Sequence, residues 1–272
     1  MPESQPLVEI RALRKEYPGD DGPRVAVSDV SFGIRRGETF GLAGRSSAGK
    51  STIGRLIVGL ERPTSGEVLF EGREISRLGH RERRPFIARM QMVFQNPLAA
   101  MNPRRTAAAI LETPLRHFAI GTPAERRERI AELLAMVGLS PRHVAYYPHE
   151  LSGGQCQRLG IARALASNPL FLFLDEPVSA LDVSIQAQIL NLLKELQERL
   201  GLTYLFVANN LNVARFICDR LAVIDEGRLV ELGDNADIFD RPSHPATRQL
   251  LDSVITVGLS RRIPPGRAGG GR

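Results

Sequence analysis

No stretch of this 272-residue chain approaches the roughly 20 consecutive apolar residues that a membrane-spanning helix requires. Met1 to Gln5 begin no signal peptide, so the chain is expected to be cytoplasmic. Cysteine is scarce: Cys156 and Cys218 lack metal-like spacing, and a lone pair in a cytosolic chain reads as buried or free thiol rather than as a disulfide. Apolar residues are not scarce. At 43% they exclude a disordered chain and suffice for one large domain or two closely joined subdomains. The net charge of +6 comes mainly from arginines spread along the chain. Arg261, Arg262, Arg267 and Arg272 sit in a Pro/Gly-rich tail, residues 256–272, that reads as solvated and disordered, so nucleic acid is not an expected partner.

What is present centres on residues 39–52, where an apolar run, Thr39 to Ala43, feeds a glycine-bounded loop and then a helix-compatible segment from Ile53 to Leu60. Gly44, Gly49, Lys50 and Ser51 fit G-x-x-x-x-G-K-[ST]. In that pattern backbone N–H groups wrap phosphate oxygens, the lysine reaches the β/γ-phosphates and the hydroxyl coordinates Mg²⁺. The helix N-terminus adds its own positive end. A chance match in a chain this long is on the order of one in a hundred. Nucleotide binding is therefore expected.

Leu7 to Leu13 and Val25 to Ile34 alternate as strands of a small antiparallel sheet, joined by a turn-rich loop in which Tyr17 reads, from spacing alone, as an ordinary aromatic. Glu67 to Phe70 adds a strand, and Met90 to Phe94 another that stops at Gln95. From Asn96 to Ser167 the pattern is helical: Thr122 and Glu125 are spaced as a capping box with Pro123 at the first helical position, and Gly138 closes that helix. Ser152 and Gln155 repeat the spacing, which serves equally a plain helix start or an anion-binding helix terminus. Leu170 to Leu174 is unbroken and apolar, as a parallel strand buried on both faces should be, and ends in Asp175 and Glu176. An amphipathic helix spans Ser184 to Leu200. A strand, Thr203 to Ala208, ends at Asn209, and a hairpin turns across Glu226 and Gly227 before a last helix, Ala246 to Val254.

Strands thus end successively at Gly44, Gln95, Asp175 and Asn209, and in open α/β sheets ligands sit outside the carboxyl ends of strands. These residues should meet at one phosphate site. There Asp175 would hold Mg²⁺ and Glu176 would orient or deprotonate the attacking water.

The phosphate loop, Gln95, Leu151-Ser152-Gly153-Gly154-Gln155, Leu174-Asp175-Glu176 and Ser179-Ala180-Leu181-Asp182 together resemble the ATP-binding subunits of ABC transporters, from about Leu7 to Leu251. The resemblance implies an α/β fold: a P-loop NTPase core with a mostly parallel sheet, an antiparallel β subdomain and a helical signature subdomain at about residues 96–167, all within residues 1–255. It implies ATP and Mg²⁺ as cofactors and Tyr17 as the adenine-stacking aromatic. The loop Gly44, Arg45, Ser46, Ser47, Ala48, Gly49, Lys50, Ser51 and Thr52 would bind phosphates, with Ser51, Gln95 and Asp175 at the metal. Glu176, Gln95 and Asn209 would be the catalytic set, with Gln95 linking the metal to a membrane partner. Ser152, Gly153, Gly154 and Gln155 would meet the γ-phosphate of a second ATPase subunit's nucleotide, and Asp182 would communicate across that dimer.

The implied partners are two transmembrane permease subunits, a second ATPase subunit that is a different chain or another copy, and indirectly a solute-binding protein. The implied location is peripheral, on the cytoplasmic face of the cell inner membrane. Phe94-Gln95-Asn96-Pro97, Tyr147 through Arg158 and Glu176 through Ser184 resemble the oligopeptide and dipeptide importer branch, with nickel importers the near alternative. A non-transport ABC ATPase, acting in phosphonate breakdown or on nucleic acid or ribosomes, is the other class. Two departures stand out. The family's switch histidine falls at Asn209 and its acidic neighbour at Asn210, and Ser47 replaces a usual loop glycine that matters if this position needs positive φ. The branch's cysteine-rich C-terminal motif is absent, so no iron–sulfur cluster is expected.

Overall fold

The alternating segments at the start of the chain pair as an antiparallel sheet, and the apolar runs that follow build a second, larger one. A computed structural model describes residues 5–19 and 22–259. The expected tail beyond residue 259 lies outside the described residues. In chain order the strands are β1 (Val8–Tyr17), β2 (Arg24–Ile34), β3 (Thr39–Ala43), β4 (Ser65–Phe70), β5 (Arg73–Glu74), β6 (Met90–Val93), β7 (Phe171–Asp175), β8 (Thr203–Val207), β9 (Arg220–Asp225) and β10 (Arg228–Asp234). The helices are α1 (Lys50–Ile57), α2 (His80–Arg89), α3 (Ala107–His117), α4 (Pro123–Met136), α5 (Gly153–Leu165), α6 (Val183–Leu200), α7 (Leu211–Ile217), α8 (Asn235–Asp240) and α9 (Pro245–Leu259).

The smaller sheet has the order β2-β1-β4-β5 with every pairing antiparallel. The larger has the order β10-β9-β3-β8-β7-β6 and is parallel except for the β9–β10 hairpin. That hairpin turns on Glu226 and Gly227, both at positive φ, as a tight two-residue turn demands. Residues of β3, β7 and β8 are buried throughout, which explains their unbroken apolar runs. The two faces of β7 divide the core. Phe171 and Phe173 pack with α1 and the antiparallel sheet, among them Val8, Ile10 and Phe32. Leu172 and Leu174 pack with the helical segment, among them Leu111, Leu134 and Leu159, and with Ile189 of α6.

Helix caps form where the spacing puts them. Thr122 Oγ1 accepts from the Glu125 amide while Glu125 Oε2 accepts from the Thr122 amide at 2.6 Å. Gly138 then leaves α4 at φ 68°.

Some boundaries differ from expectation. The first strand continues past Leu13 to Tyr17, which pairs with Arg24 and so closes a hairpin instead of sitting in a loop. Residues 96–106 are turns, and the helical segment proper starts at Ala107. The last helix runs to Leu259, into the stretch read as the beginning of the tail.

Candidate nucleotide site

The phosphate loop leaves β3 through glycines whose geometry admits no side chain. Gly44 has φ 150°, and a Cβ there would lie 2.2 Å from the Ile224 carbonyl oxygen. Gly49 has φ 102°, and its Cβ would lie 2.4 Å from the Ala26 oxygen. Ser47 also adopts positive φ, at 65°, so the position that departs from glycine is one where the backbone is left-handed. Lys50 opens α1 and is only 4% exposed. Its Nζ donates to the carbonyls of Gly44 and Arg45 at 2.8 Å each, curling the loop around the ammonium. Burial lowers the Lys50 pKa, opposed by the charges of Glu176 and Asp175. Arg45 points away from the loop and donates to Gln249 Oε1 on α9 at 3.1 Å.

Because β3, β8, β7 and β6 are adjacent and parallel, their carboxyl ends lie side by side. Ser51 Oγ donates to Asp175 Oδ1 at 2.7 Å. Gln95 Nε2 donates to Glu176 Oε2 at 2.8 Å, with Ser179 Oγ at 3.4 Å. Glu176 is held at φ 48°, a strained conformation for a residue with a side chain, and its carbonyl accepts from both the amide and the hydroxyl of Ser179. Asn209 meets Glu176, Ser179 and Gln186 around a cavity of about 220 Å³. Asn210 is occupied as the cap of α7, where its Oδ1 accepts from the Asn212 amide at 2.9 Å. A cleft of about 830 Å³ joins Tyr17, Val25, the loop from Ser46 to Thr52, Arg55 and Glu176.

The cleft suits a nucleotide triphosphate in size and in its cradle of amides and buried cation. The paired hydroxyl of Ser51 and carboxylate of Asp175 are hard oxygen donors, and they fit Mg²⁺.

Ser152, Gly153, Gly154, Gln155 and Asp182 do not line this cleft. The Ser152–Gln155 capping box forms, with the Ser152 amide donating to Gln155 Oε1 at 2.9 Å and the Gln155 amide to Ser152 Oγ at 3.3 Å. Gly154 gives room to Ile185, whose Cγ2 lies 2.7 Å from where a Cβ would be, and Asp182 caps α6 by accepting from the Ile185 amide. Ser152, Gly153 and Asp182 are exposed. Sequence reading missed Arg55 and Glu61. Arg55 Nη2 lies 3.8 Å from Asp175 Oδ2, and Glu61 accepts a hydrogen bond from the Tyr17 hydroxyl across 44 positions of chain, for which no local signal exists.

A mostly parallel sheet whose first helix, α1, begins in a glycine-flanked lysine loop, with an acidic pair at the end of β7 on the far side of β8, defines a phosphate-loop ATPase. The chain belongs to the ABC transporter family, whose family description matches residues 27–179. It is 47% identical over 256 residues to the oligopeptide transport ATP-binding protein AppF of Bacillus subtilis, covering 91% of this chain and 78% of that one. It is 48% identical over 249 residues to a putative peptide import ATP-binding protein of Brucella ovis, covering 92% and 78%. Among solved structures it is similar to the dimeric ATP-binding cassette MJ0796 in a post-hydrolysis state bound to ADP and Pi. That match has TM-score 0.77 and 34% identity, and covers 84% of this chain and 98% of that one. It is also similar to cbiO1 from Clostridium perfringens, part of the ABC transporter complex cbiONQ, with TM-score 0.77 and 26% identity over 96% of this chain and all of that one. The protein is an ATP-binding ABC ATPase.

Proposed function

We propose that this chain is an ATP-hydrolysing subunit that energises a peptide importer from the cytoplasmic face of the cell membrane. The observation that carries the peptide reading is that relatives matching more than nine-tenths of the chain at 47–48% identity are named for oligopeptide or peptide import. No helix among the described residues is long and apolar enough to cross a membrane, and in this reading, as the importer relatives suggest, separate permease subunits form the translocation path. An apolar groove of about 680 Å³, lined by residues including Leu60, Met92, Phe94, Met101 and Phe118 and so reaching the chain neighbour of Gln95, offers them a surface.

In this reading Tyr17 stacks on the adenine, and the loop amides and Lys50 bind the phosphates. Ser51 and Asp175, with Gln95, hold Mg²⁺, which neutralises phosphate charge when bound. Glu176, restrained by Gln95 and Ser179, orients and deprotonates the attacking water. The exposed Ser152–Gln155 helix start, outside the chain's own cleft, is offered to the γ-phosphate of a second ATPase subunit, and Asp182 beside it carries the coupling across that dimer.

Asn209 sets the asymmetry. It donates a hydrogen bond, but it is shorter than histidine and carries no proton or positive charge. This chain's own phosphate-loop site therefore hydrolyses slowly, while its signature completes the site of a partner that is a different chain. Affinity isolation of the chain from gently solubilised native membranes tests the reading. Two membrane-spanning proteins and a second ATPase should remain bound. Recovery only from the soluble fraction, with enzymes or ribosomes, would overturn it.

A further inference from the structure

Tyr17 ends β1 at the mouth of the cleft, and its surroundings set how the ring can present itself. Its hydroxyl donates to Glu61 Oε2, in the turn that follows α1. The same carboxylate has Lys15 Nζ at 3.8 Å and Arg55 Nη1 at 3.9 Å. Lys15 is fixed in turn by donating to the Arg62 carbonyl at 2.9 Å, and its ammonium lies over the Tyr17 ring, 4.9 Å from the centroid. The second guanidinium arm of Arg55 reaches Asp175. One carboxylate thus gathers the end of β1, the phosphate-loop helix and, through Arg55, the carboxylate proposed for the metal.

The geometry has a directional consequence. A tyrosine hydroxyl lies on the axis about which the ring spins, so the bond to Glu61 fixes where the ring sits but not its tilt. The Lys15 cation attracts one π-face and sets the tilt. The opposite face is left for a planar partner. Burial, and after it the Glu61 carboxylate, raises the Tyr17 pKa, against a hydrogen bond with Thr52 that lowers it.

We propose that Glu61 is a positioning residue for nucleotide binding: it anchors the Tyr17 hydroxyl and Lys15 so that the ring offers a single open face to the base. This rests on the base-stacking reading of Tyr17 given above. The test measures ATP affinity of the full chain, together with ATP turnover of the assembled complex, for Glu61→Ala, Tyr17→Phe, the double variant, Glu61→Gln and Tyr17→Ala. Glu61→Ala and Tyr17→Phe should each weaken ATP binding about 3–10-fold, the loss of one hydrogen bond. Turnover at saturating ATP, read for Glu61→Ala in complexes whose partner ATPase lacks its own catalytic carboxylate, should fall by a smaller factor than affinity does. The double variant should bind better than the two single losses combined would predict, because the Tyr17–Glu61 hydrogen bond is already lost in each single variant. Glu61→Gln, whose amide oxygen still accepts from the hydroxyl, should fall between Glu61→Ala and the native chain. Additive losses, or unchanged affinity in Glu61→Ala while Tyr17→Ala binds poorly, would overturn the anchor and leave base stacking intact. Unchanged affinity in Tyr17→Ala would remove base stacking and the anchor with it.

Discussion

Replacing Asn209 with histidine restores the group whose absence we hold responsible for a slow site. Asn209 follows β8 by two residues and borders the cavity of about 220 Å³ that it shares with Glu176, Ser179 and Gln186. An imidazole entering that space would stand beside the Glu176 carboxylate, able to donate to the γ-phosphate and to carry charge. One preorganised donor aimed at developing charge is worth roughly 10²–10³ in rate. Asparagine retains part of that hydrogen bonding, so we expect a gain of about 10–100-fold at this chain's own site. The magnitude dictates the assay. In a complex with one fast and one slow site the rates add, so even full repair of the slow one raises total turnover by only about twofold. Asn209→His should therefore be measured in complexes whose partner ATPase lacks its own catalytic carboxylate, by phosphate release at saturating MgATP. An unchanged rate in that background would refute the reasoning, because it would mean that Asn209 does not limit hydrolysis.

Ser47→Gly should stabilise the chain. A left-handed residue with a side chain costs about 1–2 kcal/mol, glycine's extra unfolded entropy returns roughly 0.5–1, and the net gain of about 0.5–1 kcal/mol should move the urea midpoint upward at constant m-value. A lower midpoint would contradict the assignment of strain to this position. Glu231 should give the C-terminal segment an acid-sensitive contribution. Burial pushes its carboxyl up, but the Thr247 hydroxyl, the Ser243 amide and hydroxyl and the His244 amide outweigh it and hold the pKa at about 2. Because the folded value is depressed, this stability is fully present above the ordinary carboxylate pKa and is lost as pH falls through about 2. Glu231→Gln should therefore lose about 1–3 kcal/mol at neutral pH and flatten the stability profile in that acid window. An unaltered acid profile would contradict it.

Much of the site was legible because it depends on strand ends. Buried parallel strands write themselves as apolar runs, and the runs here stop at or just before Gly44, Gln95, Asp175 and Asn209, with Gln95 bonded to Glu176, Asp175 to Ser51, and Asn209 beside Glu176 in their shared cavity. Their meeting followed from one rule of α/β sheets, and the Ser51–Asp175 and Gln95–Glu176 hydrogen bonds are its result. Other features left no trace. Helix α2 carries Arg81, Glu82, Arg83 and Arg84 with Pro85 inside, so it has no apolar stripe to read, and Gly79 stands where a capping side chain would announce it. Strand β1 continues through Arg14, Lys15 and Glu16, whose charges hide the alternation, and its pairing is broken by register shifts near Ala12, which adopts φ 47°. The anchoring of Tyr17 depends on the turn after α1 folding back against β1, which is a tertiary fact. Spacing alone read Tyr17 as an ordinary aromatic, the family resemblance singled out its ring, and neither showed what holds it.

We propose that the cleft at these strand ends hydrolyses ATP through Glu176. The most direct measurement compares ATP affinity and phosphate release for the native chain and Glu176→Gln, in the assembled complex with the partner's carboxylate removed. Glu176→Gln should bind MgATP as tightly as the native chain while its residual turnover falls by at least about 10². Turnover equal to that of the native chain, at equal affinity, would contradict it.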